Sequence, residues 1–236
     1  MKSLLPILIL VPALTAQEDT PKGRTHYKGR EIAKTMHYKG APWLVRQSRE
    51  REEECSTLLR ALHIEPGDVV CDLGCGNGFY TLKIADLVGK DGRVLAVDIQ
   101  KQMLALLNLR AKKTTVGDRI QTILGTLSDP KLPANSVDLV LLADVYHELS
   151  HPESVLEAIR KSLRPGGRMV LAEFRTEDPK VPIKRLHKMS KKQVVRELNA
   201  NGFKLVEQYD GLPWQHVMFF GRDEEWQPPE PGADPG

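Results

Sequence analysis

Three groups of residues in this chain of 236 amino acids have types and spacings suited to chemistry. The first is Asp72-Leu-Gly-Cys-Gly-Asn-Gly78, where Gly74, Gly76 and Gly78 alternate with Cys75 and Asn77 behind a carboxylate. Glycines at alternate positions permit a tight turn and close approach of backbone to a ligand. A helix starting behind them offers unpaired N–H groups to that ligand. The second is Asp98, which ends the apolar run Arg93-Val-Leu-Ala-Val-Asp98. A carboxylate placed there can accept hydrogen bonds from ribose hydroxyls. The third is Asp144-Val-Tyr-His-Glu148. His147 suits general-base work because its ordinary pKa lies near neutrality. Tyr146 and Glu148 flank it as further catalytic candidates.

These groups need particular elements to hold them. Residues 69–73 are a short, largely apolar run, the pattern of a strand buried on both faces. Thr81, Leu82, Ile84, Ala85 and Val88 then recur with a helical period. Residues 93–98 form a second strand, 119–124 a third and 137–142 a fourth. Arg164-Pro-Gly-Gly167 is a tight turn before a fifth strand over 168–174. Two more strands are expected over 203–209 and 215–221. Ligands of open parallel sheets sit beyond the carboxyl ends of the strands, which is where all three groups fall. Ahead of the first strand, 43–62 can be one helix entered through Pro42, with His37, Tyr38, Trp43 and Arg46 available to line a pocket.

The glycine spacing separates two ligand classes. A dinucleotide fingerprint is G-x-G-x-x-G, and here the third glycine comes one residue early. Asp72-Leu-Gly-Cys-Gly-Asn-Gly78 instead resembles the first motif of class I S-adenosylmethionine-dependent methyltransferases, and Asp98 matches the acidic residue that closes their second strand. Asp144 to Glu148 resembles the family's fourth motif, and Leu-Arg-Pro-Gly-Gly before the fifth strand is a further shared feature. The resemblance covers roughly residues 58–221. It implies an α/β, three-layer Rossmann-like fold with a mainly parallel seven-stranded sheet whose last strand is antiparallel. It implies S-adenosyl-L-methionine as cofactor, held by Asp72, Gly74, Cys75, Gly76, Asn77, Gly78, Asp98, Ile99, Met103, Thr126 and Asp144. Relatives often carry an acidic residue after the third strand to bind the adenine amino group. Here Gly125-Thr-Leu127 stands in that turn and Asp129 follows later, so Thr126 or a backbone group takes that part.

The reaction implied is in-line methyl transfer to an acceptor that is expected to be a small molecule. A formal charge of +3 is too weak to argue for nucleic acid, and aromatics are too sparse for a base-stacking platform. Cys55, Cys71 and Cys75 show neither a C-x-x-C pair nor zinc spacing with histidines, so no metal is expected. Two other readings remain open at this point: an S-adenosylmethionine-binding module without catalysis, and a nicotinamide-dependent oxidoreductase.

The ends differ in character from the middle. Residues 1–16 carry one lysine, a short apolar run and small residues, the pattern of a signal peptide. The run is short for a membrane span, so no stable span is expected after its removal. Its cleavage would place the protein in the periplasm or outside the cell; otherwise it is cytoplasmic. Residues 17–57 read as an N-terminal extension with a cap helix, 58–222 as the methyltransferase domain, and the acidic, proline-rich 223–236 as a disordered tail.

Overall fold

The computed structural model describes residues 22–228. The expected signal peptide lies outside them, as does most of the expected tail. Seven principal strands build the sheet: β1 (Val69–Leu73), β2 (Arg93–Asp98), β3 (Ile120–Leu124), β4 (Val137–Ala143), β5 (Leu163–Arg175), β6 (Phe203–Tyr209) and β7 (Gln215–Arg222). Their order is β3-β2-β1-β4-β5-β7-β6, and a two-residue strand, Lys188–Met189, pairs beside the end of β5. All the pairings up to β5 are parallel, and β7 runs antiparallel to both its neighbours, as expected. Parallel strands must be covered on both faces. Accordingly β1 and β4 are apolar nearly throughout, and two clusters of buried side chains fill the two sides of the sheet.

Helices α1 (Ala41–Leu44), α2 (Arg49–Glu53) and α3 (Cys55–Ala61) precede the sheet. They replace the single helix expected over 43–62. The break between α2 and α3 falls at Glu54, whose backbone is left-handed at φ 49°. Arg49 explains the interruption before α2: its guanidinium donates to the Leu44 carbonyl at 2.9 Å and to Glu53 Oε2 at 3.0 Å, tying α1 to α2. The crossover helices are α4 (Phe79–Leu87), α5 (Lys101–Ala111) and α6 (Pro152–Ser162), and α7 (Lys191–Asn199) precedes β6. Ser190 caps α7 as its sequence suggests, accepting from the Gln193 amide.

The turn at Arg164–Gly167 lies inside β5 rather than before it. Val137 pairs with Leu163 and Leu139 with Arg168, so the four residues form an irregularity in one continuous strand. Beyond β7, Asp223 stays attached: its amide donates to the Gly202 carbonyl and its own carbonyl accepts from Arg160. Trp226 then stacks under the Arg160 guanidinium, 5.6 Å from the ring centre. Among the described residues no helix is long and apolar enough to cross a membrane.

Candidate active site

A cavity of about 580 Å³ opens beyond the carboxyl ends of β1, β2 and β4, within the usual range for small-molecule sites. Gly74, Gly76, Asp98, Ile99, Met103, Thr126, Asp144, His147 and Glu148 line it, as the sequence suggested. Asp72, Cys75, Asn77, Gly78 and Tyr146 do not appear in its lining.

The glycine turn works by shape. Gly74, Gly76 and Gly78 have φ of 75°, 53° and 81°, a region costly for side chains. A Cβ on Gly74 would meet Val145 at 2.5 Å, and one on Gly76 would meet Leu44 at 2.6 Å. The turn's amides are largely committed within the fold. Gly74 and Cys75 donate to the Val97 carbonyl, and Gly76 donates to Asp98 Oδ2 at 2.9 Å. These three amides lie ahead of α4, whose first-turn N–H groups are the ones the sequence offered to a ligand.

Asp98 also accepts the Gln100 amide at 2.8 Å. A carboxylate has about four acceptor positions, so capacity remains for a hydroxyl at the cavity wall. Burial pushes the Asp98 carboxyl up, and the Gln100, Gly76 and Ile99 amides partly offset it. Asp144 ends β4 in a left-handed conformation, φ 57°. Its Oδ2 lies 3.6 Å from Arg49, while buried Oδ1 has no partner among the described residues. An orphaned carboxylate oxygen beside the glycine turn suits a cationic amino group. Asp98 and Asp144 together thus fit the sugar and the amino-acid end of S-adenosylmethionine.

Asp72 has a different task. Its Oδ2 accepts the Thr81 hydroxyl at 2.6 Å, clamping β1 to α4, and burial raises its pKa to about 6. Asn77 reaches the other way, donating to the Ala41 carbonyl at 2.9 Å and so holding α1 over the glycine turn. Cys75 and Gly78 pack inside, Gly78 against Leu107.

His147 is set by one buried acid. Glu173 accepts the Val145 and Tyr146 amides at 3.2 and 2.7 Å through Oε1, and His147 Nδ1 at 2.6 Å through Oε2. With Nδ1 donating there, Nε2 is left for the cavity, 3.1 Å from His187 Nδ1 and 3.9 Å from Glu148 Oε1. Burial alone would lower the His147 pKa; Glu173 outweighs it and the net direction is up. Burial raises the Glu148 carboxyl to about 7, opposed by His147 and by the Met36 amide. His187 is pushed down by burial, then by His147 and Lys184. Tyr146 leaves the catalytic set: its hydroxyl donates to Glu197 Oε2 at 2.9 Å in a buried cluster with Arg30.

The N-terminal segment roofs the cavity, with one of the four residues expected. Trp43 lines it, half-exposed, with Arg46 stacked 3.7 Å from its ring centre. His37, Tyr38 and Arg46 are absent from the lining, where Thr35, Met36, Leu44 and Arg49 stand instead. Gln100 ties this segment down, accepting the Tyr38 amide at 2.8 Å and donating to the Met36 carbonyl at 2.9 Å. The opposite wall is Phe174 with Pro182, Ile183, Lys184 and His187 from the loop after β5. Sequence reasoning missed the part of His187. It stands 40 positions from His147, and no local spacing announces the meeting.

A family model described as a methyltransferase domain matches residues 64–218. The demethylmenaquinone methyltransferase of Symbiobacterium thermophilum is 34% identical over 111 residues, 47% of this chain and 44% of that protein. A ubiquinone/menaquinone biosynthesis C-methyltransferase of Ectopseudomonas mendocina is 32% identical over the same length, covering 47% and 43%. The chain thus spans less than half the length of these curated relatives. In fold it is similar to a SAM-dependent methyltransferase from Aquifex aeolicus, with a TM-score of 0.74 at 22% identity, covering 79% of this chain and 98% of that one. It is also similar to Aeropyrum pernix fibrillarin with natively bound S-adenosyl-L-methionine, with a TM-score of 0.53 at 20% identity over 71% and 74% of the two chains. With motif order, sheet order and family model in agreement, the chain belongs to the class I S-adenosylmethionine-dependent methyltransferases.

Proposed function

We propose that the protein transfers the methyl group of S-adenosylmethionine to an apolar small molecule that presents an oxygen, or a carbon activated by one, to the corner formed by His147, Glu148 and His187. One observation carries this reading. A single cavity takes in Asp98 and the glycine turn together with the apolar Trp43, Leu149, Phe174 and Ile183 and the corner formed by His147, Glu148 and His187. Such a chamber rewards burial of a flat or branched apolar acceptor.

Asp98 would hold the ribose and Asp144 the amino group, while Met103 and Ile99 flank the adenine. The sulfonium already activates the methyl group. The protein's remaining tasks are alignment and exclusion of water. A hydroxyl acceptor must also lose a proton, and the His147 corner lies where such a group would receive help. The quinone-type acceptors named for the curated relatives are of this kind, apolar rings bearing oxygen. The test is transfer of labelled methyl from S-adenosylmethionine to a panel of hydrophobic phenols and hydroquinones, with polar amines and thiols beside them. Turnover confined to the polar members would overturn the acceptor class. Donor binding without turnover of any member would favour a binding module.

A further inference from the structure

We propose that His147, Glu148 and His187 form a binding site for one divalent transition-metal ion of the zinc class at the acceptor end of the cavity. His147 Nε2, His187 Nδ1 and a Glu148 carboxylate oxygen all lie within 4.8 Å of one another. The two ring nitrogens are 3.1 Å apart. Zinc–nitrogen bonds of about 2.0–2.1 Å place two ligands about 2.9–3.4 Å apart for angles between square and tetrahedral. The imidazole pair is already at that separation, and Glu148 Oε1, which accepts the Met36 amide at 3.2 Å, stands 3.9 Å from Nε2.

The surroundings are those of a ligand set. A metal-binding histidine commonly gives its other N–H to a carboxylate, which fixes ring and tautomer. His147 does so at 2.6 Å, to an acid that is itself fully buried and anchored by two backbone amides. Glu148 and Glu173 bring two carboxyl groups to the corner, against Lys184 in the facing loop. Two histidines and one carboxylate suit zinc, and three protein ligands leave a position open toward the cavity, as in catalytic rather than structural zinc sites. That position faces the chamber where an acceptor's oxygen would lie. The ligands come from the loop after β4 and the turn at Arg185–His187, so no C-x-x-C or H-x-x-H spacing reveals them. Metal binding needs neither donor nor acceptor, so it is tested separately from the methyl-transfer reading.

The experiment uses the full chain without an affinity tag, stripped by a chelator and titrated with zinc chloride by calorimetry. Elemental analysis after dialysis gives the stoichiometry, and cobalt(II) substitution gives visible d–d bands. The expected result is one ion per chain. His187→Ala should weaken zinc binding by more than the roughly 10–100-fold that an outer partner is worth and abolish the cobalt bands. Glu148→Gln, which keeps the shape and removes the charge, should weaken it too. His26→Ala, at an exposed histidine outside the cavity lining, should change nothing. Circular dichroism confirms that each variant is folded. Substoichiometric binding, or an affinity that His187→Ala and Glu148→Gln leave unchanged, would overturn the site and leave a proton shared between two imidazoles as its occupant.

Discussion

The Gly76 amide donates to Asp98 Oδ2 at 2.9 Å, so the glycine turn and the carboxylate at the end of β2 are one unit. The bond fixes the carboxylate's rotation before any ligand arrives. Asp98→Ala removes the hydroxyl acceptor and leaves the Gly76 and Gln100 amides without partners. The two charge-assisted hydrogen bonds that Asp98 would make to the ribose hydroxyls are worth about 3 kcal/mol, so affinity for S-adenosylmethionine should fall by roughly 100-fold. Calorimetry decides it, and an unchanged dissociation constant would remove Asp98 from the sugar site.

His147 stands at the other end of the same cavity, and its variant should behave oppositely. His147→Ala should lower turnover by about 100-fold or more while donor affinity stays within a factor of two. Single-turnover rates beside binding isotherms separate the two effects. Equal rates would reduce His147 to a residue that shapes the loop after β4.

Tyr146 should affect stability alone. Its hydroxyl meets Glu197, which also pairs with Arg30 at 2.7 Å. Tyr146→Phe keeps the ring under the Arg30 guanidinium and loses one hydrogen bond to a charged group, about 1.5 kcal/mol. Chemical denaturation should show that loss with kcat unchanged. A collapse of kcat in a folded variant would return Tyr146 to the chemistry.

Asp72 makes stability depend on pH. Its pKa rises from 3.8 to about 6 on folding because burial disfavours the charged form. The native state then holds a proton that the unfolded chain releases, so this group's contribution falls as pH rises from about 4 to about 6. The full change is about 3 kcal/mol at 1.36 kcal/mol per unit. Asp72→Asn cannot ionise, so its stability relative to the parent should improve across that window and level off above it. A difference flat in pH would mean that Asp72 is ionised throughout.

Much of this arrangement was legible in the chain because it is local. Asp98 ends an apolar run, and a strand end in a parallel sheet is a cavity wall. The last two strands matched their expected spans closely because the Asn201-Gly202 and Gly211–Pro213 breaks delimit them. The first strand's Asp72 misled for the same local reason. It faces inward to Thr81, and strand parity rather than residue type decides which side a carboxylate serves. The helix over 43–62 failed because Arg49 turns inward to Glu53 and the Leu44 carbonyl, a choice that helical period does not record. Glu173 and His187 reach His147 only through the tertiary fold, so their shared role becomes visible once β4, β5 and the loop behind them are in place.

Gln100 sits two positions past Asp98 and grips the chain on both sides of His37 with a single side-chain amide. Whatever leaves the cavity beneath that strap must wait for both contacts to part, and they part together because one amide group makes them. The fastening and Asp98, which holds the sugar on the proposed reading, are joined by the bond from the Gln100 amide to Asp98 Oδ1. On that reading one residue touches both the roof and the donor's anchor, and replacing Gln100 with Ala should quicken donor departure more than it slows arrival.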